Sequence, residues 1–228
     1  MTLAFHSTWR SIALAAVLTG LIGCSALLPK PAAPMVIYAI NGIDVAAAPS
    51  TPPTATPTAA RLTLLVQVLH AAPGFDSSRI IYTRQPHRIE SYSQSEWVDT
   101  PARMLAPLVV AAIERHSGFA AVAMAPSAAA GDLRLDVEIV HLAQSFAALP
   151  SRVRLSLRAS LVDSSSRRVL ATRLIEASAL AASDDAPGGV VAANQAVQIA
   201  LQTLAEFCSQ AGALRVTSNR PEAAQRLP

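Results

Sequence analysis

The chain has 228 residues, with 18 basic against 15 acidic side chains, 52% hydrophobic residues and two cysteines. That length is enough for one domain with a sizeable core, or a domain plus tails. The small positive excess is almost all arginine in an alanine-rich sequence, with Lys30 the only lysine, so it reads as the codon bias of a GC-rich genome and not as a nucleic-acid surface.

MTLAFHSTWR closes on Arg10, and SIALAAVLTGLIG then runs uncharged over residues 11–23. Such a run is too short to span a bilayer, which takes about 20 apolar residues, and has the form of a secretory signal peptide. The next residue completes Leu21-Ile22-Gly23-Cys24, which resembles the lipobox of bacterial lipoproteins. That resemblance implies cleavage after residue 23 and acylation of Cys24. Several acyl chains, at about 0.8 kcal/mol per buried CH₂, hold a protein stably where one is marginal. Ser25, where an aspartate favours inner-membrane retention, resembles the outer-membrane class. SALLPKPAAP, residues 25–34, holds three prolines and reads as an extended tether, about 30 Å long at roughly 3.1 Å per residue.

MVIYAI, 35–40, reads as a strand, stopped by Asn41-Gly42, and the Pro/Thr-rich stretch 45–60 as a flexible connection. RLTLLVQVLH, 61–70, suits one central strand; RIIYT (79–83) and HRIESYSQ (87–94) suit short strands around Gln85-Pro86. Thr100 and Pro101 open a helix that Gly118 closes, with Met104, Leu105, Leu108, Val109, Ala112 and Ile113 on its apolar face and Pro107 as an expected kink. FAAVAMA (119–125) is a weak strand. LRLDVEIVHL (133–142), RVRLSLRASLV (152–162) and RVLATRLIEASAL (168–180) alternate as an antiparallel meander. After Gly188-Gly189 a helix follows, with Val190, Asn194, Val197, Leu201, Leu204 and Cys208 on one stripe and Gly212 as its stop. The expected fold is α+β: a two-layer sandwich of a mostly antiparallel or mixed sheet of about seven strands, with two helices on one face. Residues 35–211 form the domain and 212–228 a flexible tail.

Candidates for chemistry are few. His70, His87, His116 and His141 have no zinc-ligand spacing, so no metal or other cofactor is expected. Neither G-x-S-x-G nor S-x-x-K occurs, and no nucleophile or catalytic residue is assigned. Cys208 lies on the helix stripe and reads as a small packed hydrophobe. Asp184-Asp185 reads as a solvated turn into a helix N-terminus. Arg152, Arg154 and Arg158 share one strand face opposite Arg134, Asp136 and Glu138. This is either a solvated sheet face or a surface for an acidic partner or anionic lipid.

The distinctive segment is IIYTRQPHRIESYSQSEWVDTPARML, 80–105. Through Tyr82, Glu90, Tyr92, Trp97, Asp99, Pro101 and Leu105 it resembles the ABC-type transport auxiliary lipoproteins, the family of the paraquat-inducible lipoprotein component. Tyr38 resembles that family's opening strand. The resemblance implies a non-enzymatic outer-membrane lipoprotein, anchored in the inner leaflet and facing the periplasm. It would serve a lipid transport system as a docking component for an MCE-domain protein and an inner-membrane permease, and could assemble as a homo-oligomeric ring. Tyr82, Tyr92, Trp97 and Asp99 are the candidate partner-binding residues; packing of Trp97 on the sheet is the competing reading. The alternatives are a scaffold of another outer-membrane assembly or, less favoured, a hydrolase.

Overall fold

A computed structural model describes residues 34–41, 62–116 and 118–218. The signal peptide, Cys24, most of the tether, the Pro/Thr-rich connection and the last ten residues lie outside these. The elements in chain order are β1 (Val36–Tyr38), β2 (Thr63–Val66), β3 (His70–Ala71), β4 (Arg79–Thr83), β5 (Glu90–Trp97), α1 (Pro101–His116), β6 (Ala121–Met124), β7 (Leu133–Ser145), β8 (Arg152–Asp163), β9 (Val169–Leu180) and α2 (Ala186–Ser218). The class is α+β as expected, with nine strands in one mixed, open sheet.

The ninth strand, one more than the eight segments that read as strands, follows from the length of β7. One edge of this 13-residue strand takes β8 antiparallel along its whole course. The other edge is lined in succession by β2 against Leu133–Leu135, β3 against Glu138–Ile139 and β4 against Gln144–Ser145, all parallel. The run 61–70 therefore does not form one strand. It is read in two pieces, with the Gln67 N–H still donating to the Leu135 carbonyl in the gap. β9 pairs antiparallel with β8, β6 lies outside β2, and β5 and β1 lie outside β4.

Both helices pack on one face. Leu133, Leu135, Val137 and Ile139 of β7 and Val153, Leu155, Leu157, Ala159 and Leu161 of β8 are buried beneath them. Opposing these, α2 buries Ala192, Ala193, Ala196, Val197, Ala200, Leu201, Leu204 and Cys208. Alanine is the best helix former and lets the helix axis approach closely. Gly212 does not end α2, which runs on to Ser218. A Cβ there would stand 3.2 Å from the Phe119 ring, so the glycine serves close packing instead. Helix α1 likewise runs through Pro107, whose side is exposed.

A bulge between Ile139 and His141 changes the outcome of the alternation. One extra residue swaps the faces of everything beyond it. Leu142 and Gln144, not His141 and Ala143, then share the helix side with Leu155 and Val153. On the open face Arg158 bonds Glu138 at 2.6 Å, whereas Arg134 pairs along its own strand with Asp136 at 3.3 Å.

The lower end of the sheet, where β7 starts and β8 ends, is held by charge. Asp163 Oδ1 accepts the N–H groups of Ser165 and Ser166 and the Ser165 hydroxyl; its Oδ2 accepts Arg215 Nε from α2. Asp132 Oδ2 accepts the Thr63 N–H at 2.8 Å. The Ser165 and Ser166 bonds, then Arg215, hold the Asp163 carboxyl well below the ordinary carboxylate range. A depressed folded-state pKa contributes stability above the unfolded value, about 4, which is lost as pH falls toward the folded one. Asp163→Asn is therefore expected to flatten the loss of stability below about pH 4; an acid titration followed by circular dichroism checks it. Leu157→Ala, which empties a fully buried site, is expected to cost about 2–5 kcal/mol in denaturant melts, against about 0.5 kcal/mol or less for exposed Arg154→Ala.

Candidate functional site

The segment 80–105 forms the β4–β5 hairpin and the start of α1, so its residues are spread from the upper end of the sheet to its middle. The upper end is where β4 and β7 finish and β5 and β8 begin. There the Tyr82 hydroxyl donates to Glu90 Oε2 at 2.9 Å, and Glu90 also meets Arg88 at 3.1 Å and Arg84 at 3.8 Å. The Tyr82 ring lies 4.6 Å from Tyr92 and 5.8 Å from Phe146, and the Arg84 guanidinium lies over both Tyr82 and Phe146. Offset and edge contacts of this kind, with a cation on the ring face, stabilise by electrostatics beyond area burial.

Tyr92 continues the network inward. Its hydroxyl donates to Gln144 Oε1 at 2.8 Å, and Gln144 Nε2 donates to Ser151 Oγ at 2.9 Å. The Ser151 N–H in turn donates to Asp184 Oδ1 at 2.7 Å. Asp185 caps α2, accepting the Gly188 N–H at 2.9 Å and the Ser183 hydroxyl. Helix α2 thus starts at Ala186, and Gly188-Gly189 fall inside its first turn instead of before it. A Cβ on Gly189 would stand 2.1 Å from Gln144 Oε1. The chain from Tyr92 to the helix cap binds the hairpin, the start of β8 and the head of α2 into one unit.

Protonation within the unit follows from burial and hydrogen bonding. Burial pushes the Tyr92 phenol up to about 12, and the bond to Glu90 raises Tyr82. Both hydroxyls therefore stay protonated donors at neutral pH. Hydrogen bonds from Ser151 and from Ser183 lower Asp184 and Asp185, respectively. Cys208, fully buried, is pushed up to about 12 by desolvation and is a packed thiol, not a thiolate. Burial, then Arg154, lowers His141, whose ring stands edge-on to Phe75 at 4.9 Å. Among the described residues no group of three or more His, Cys, Asp and Glu side chains could hold a metal ion.

The four candidate contact residues end up in different settings. Tyr82 and Tyr92 meet as a ring pair, whereas Trp97, 5% exposed, joins the main core and plays the packing part. Tyr82 is itself only 9% exposed. Asp99 keeps about two fifths of its side chain in solvent, accepts the Thr100 N–H and pairs with Arg103 at 3.3 Å. The free surface of the segment is supplied by its neighbours: Val98 (61% exposed) beside Val36 and Ile37 (46% and 63%) of the outermost strand β1. The Val98 N–H donates to the Tyr38 carbonyl, and by strand alternation Ile37 shares a face with Val98 while Val36 points to the other face of the same edge strand. Gln144, Ser151 and Gly189 were not singled out from sequence as site residues; the adjacent Ile139-Val140 pair, which breaks the alternation, was the available signal for the bulge.

Intrinsic propensity says that Gly→Ala in a helix stabilises by about 1 kcal/mol. At Gly189 the expected sign is reversed: Ala must displace buried Gln144 and costs about 1–3 kcal/mol in thermal or denaturant melts. Tyr92→Phe, which leaves Gln144 Oε1 without its donor, is expected to cost about 1–3 kcal/mol.

No curated protein sequence matches the chain. The fold is similar to XCC0632 from Xanthomonas campestris, with TM-score 0.63 and 24% identity, covering 83% of this chain and 94% of that one. A second structure, of an uncharacterised protein, is similar at TM-score 0.51 and 13% identity, covering 82% and 99% of the two chains. A PelC dodecamer subunit from Paraburkholderia phytofirmans aligns at TM-score 0.40 and 13% identity over 66% and 92%. The sequence model of the ABC-type transport auxiliary lipoprotein component matches residues 44–205. The chain belongs to the family of ABC-type transport auxiliary lipoprotein components.

Proposed function

We propose that this family member acts as a docking component, without catalysis, of an MCE-type lipid transport system, anchored through Cys24 in the inner leaflet of the outer membrane. The observation that carries the reading is the exposed aliphatic edge at Val36, Ile37 and Val98, followed in the chain by Asp99, which pairs with Arg103. Among the described residues strand β1 has a sheet partner on one side, β5, and its exposed side chains lie along the other. An extended segment of a partner could add there as a further strand, the backbone giving affinity and the aliphatic side chains specificity. The polar groups at the upper end are bonded to one another and hold this edge in place. On this reading the partners are an MCE-domain protein, and through it an inner-membrane permease. The contact region is the 82–99 segment together with β1, with Tyr82, Tyr92 and Trp97 supporting it and Asp99 at its surface. Head-to-tail repetition as a ring would place several such edges around one MCE assembly.

Ile37→Asp puts a charge at the centre of the edge without entering the core. It is expected to lower copurification of the MCE-domain protein with the full-length lipoprotein about ten- to hundredfold, the loss of roughly 1–3 kcal/mol at an interface anchor. Membrane association and melting temperature should stay unchanged. Undiminished recovery of the MCE-domain protein would remove the edge from the contact, and recovery of a different envelope complex by the wild-type chain would favour a scaffold role instead.

A further inference from the structure

We propose that the open face of the sheet carries a binding groove for a zwitterion, a phosphate ester joined to a primary ammonium by a short carbon spacer. The groove, of about 300 Å³, lies over β8 and β9 and is lined by Arg152, Arg154 and Ser156 of one strand and Glu176 and Ser178 of the other. It exists because long side chains stand beside short ones. Arg154 has Ala143 and Ser178 as its cross-strand neighbours, and Ser156 has His141 and Glu176. The space between the two guanidiniums and the Glu176 carboxylate is therefore floored by hydroxyls and backbone. Its volume matches the small end of ligand pockets, about 300–1,000 Å³.

The charges in the groove are not paired with one another. On the same face Arg158 meets Glu138 and Arg134 meets Asp136, but among the described residues neither Arg152 nor Arg154 forms an ion pair, and nor does Glu176. Asp184 and Asp185, which follow β9, bond the Ser151 N–H and the head of α2 instead. Arg154 and Glu176 are diagonal neighbours, about 7–8 Å apart at the backbone, so one end of the groove is positive and the other negative. A simple anion would meet the Glu176 carboxylate, and a simple cation would meet two guanidiniums. A zwitterion satisfies both ends: the planar guanidinium forks suit phosphate oxygens, and Glu176 with the Ser156 hydroxyl accepts from an ammonium. Exposed Leu174 and Leu180 share this face of β9 by alternation and flank the polar lining, which leaves room for an apolar extension of the ligand. Phosphoethanolamine esters have this chemistry, whether as a lipid head group or as the soluble diester.

The groove lies toward the β9 edge, opposite β1, so binding there and docking at β1 succeed or fail separately. For the test, full-length lipoprotein in dodecyl maltoside is titrated with glycerophosphoethanolamine while the ligand's phosphorus NMR linewidth is followed, against detergent alone. Glycerophosphoglycerol, which keeps the phosphodiester and lacks the ammonium, and inorganic phosphate are the comparison ligands. The expected result is saturable broadening of glycerophosphoethanolamine, with affinity about tenfold weaker for the other two. Arg152→Gln with Arg154→Gln should weaken binding about tenfold or more, and Glu176→Gln should bring the two esters to equal affinity. Arg134→Gln, at the other end of the same face, should change nothing; all four side chains are exposed, so melting temperature stays the same. Dihexanoyl phosphatidylethanolamine that displaces the soluble ester at a lower concentration than the ester itself requires identifies a lipid head group as the source; displacement at equal or higher concentration identifies the soluble ester. No broadening, broadening that survives the double arginine change, or an equal loss with Arg134→Gln overturns the site. Equal affinity of wild type for the two esters overturns the zwitterion assignment.

Discussion

Strand β7 is the constraint on which the rest depends. It is long enough to need three short strands in series on one edge, and its other edge carries the β8–β9 meander. Its bulge after Ile139 rotates the last third of the strand, so that Gln144 turns under α2 instead of out to solvent. A buried amide of this kind must find partners, and polar groups on two other segments supply them. Tyr92 comes from β5, Ser151 from the start of β8, and glycine at 189 makes room at the head of α2. The hairpin carrying the distinctive segment is placed by that satisfaction requirement. Through β5 it also places β1, the edge strand.

The two ends of the sheet are fastened differently. At the lower end a carboxylate, three donors from its own turn and an arginine from α2 close the domain with charge. At the upper end neutral hydroxyl and amide bonds do the same work beneath a layer of aromatic rings and arginine. Since the tyrosines stay protonated, the upper network does not change with pH across the neutral range. That constancy holds the β4–β5 hairpin, and with it the β1 edge, at a fixed position.

Most of the layer architecture was legible in the sequence. Clean alternation in 133–139 and 152–161 gave the strands their buried faces, and the stripe from Val190 to Cys208 gave α2 its packing side. What was not legible depended on tertiary context. The run 61–70 has the composition of one strand and is divided only because β7 offers it two separated stretches. Gly212 has the local signature of a helix stop, but the Phe119 ring takes the space its side chain would fill. Gly188-Gly189 likewise looked like a boundary and proved to be an approach site for Gln144 and Ser183. For the site, the segment was found but the division within it was not. Trp97 is 5% exposed and packs in the core, while Val98 and β1 hold the exposed surface.

Docking of an MCE-domain protein through the β1–β5 edge is the proposal on which the function rests. The most direct measurement is crosslinking in living cells that carry the unmodified protein, followed by mass spectrometry of the linked peptides. The expected result is an MCE-domain protein as the principal partner, with links concentrated on peptides spanning 35–38 and 98–103. An MCE partner linked through the open β8–β9 face would contradict the placement of the contact, and a different envelope complex as principal partner would contradict the transport role itself.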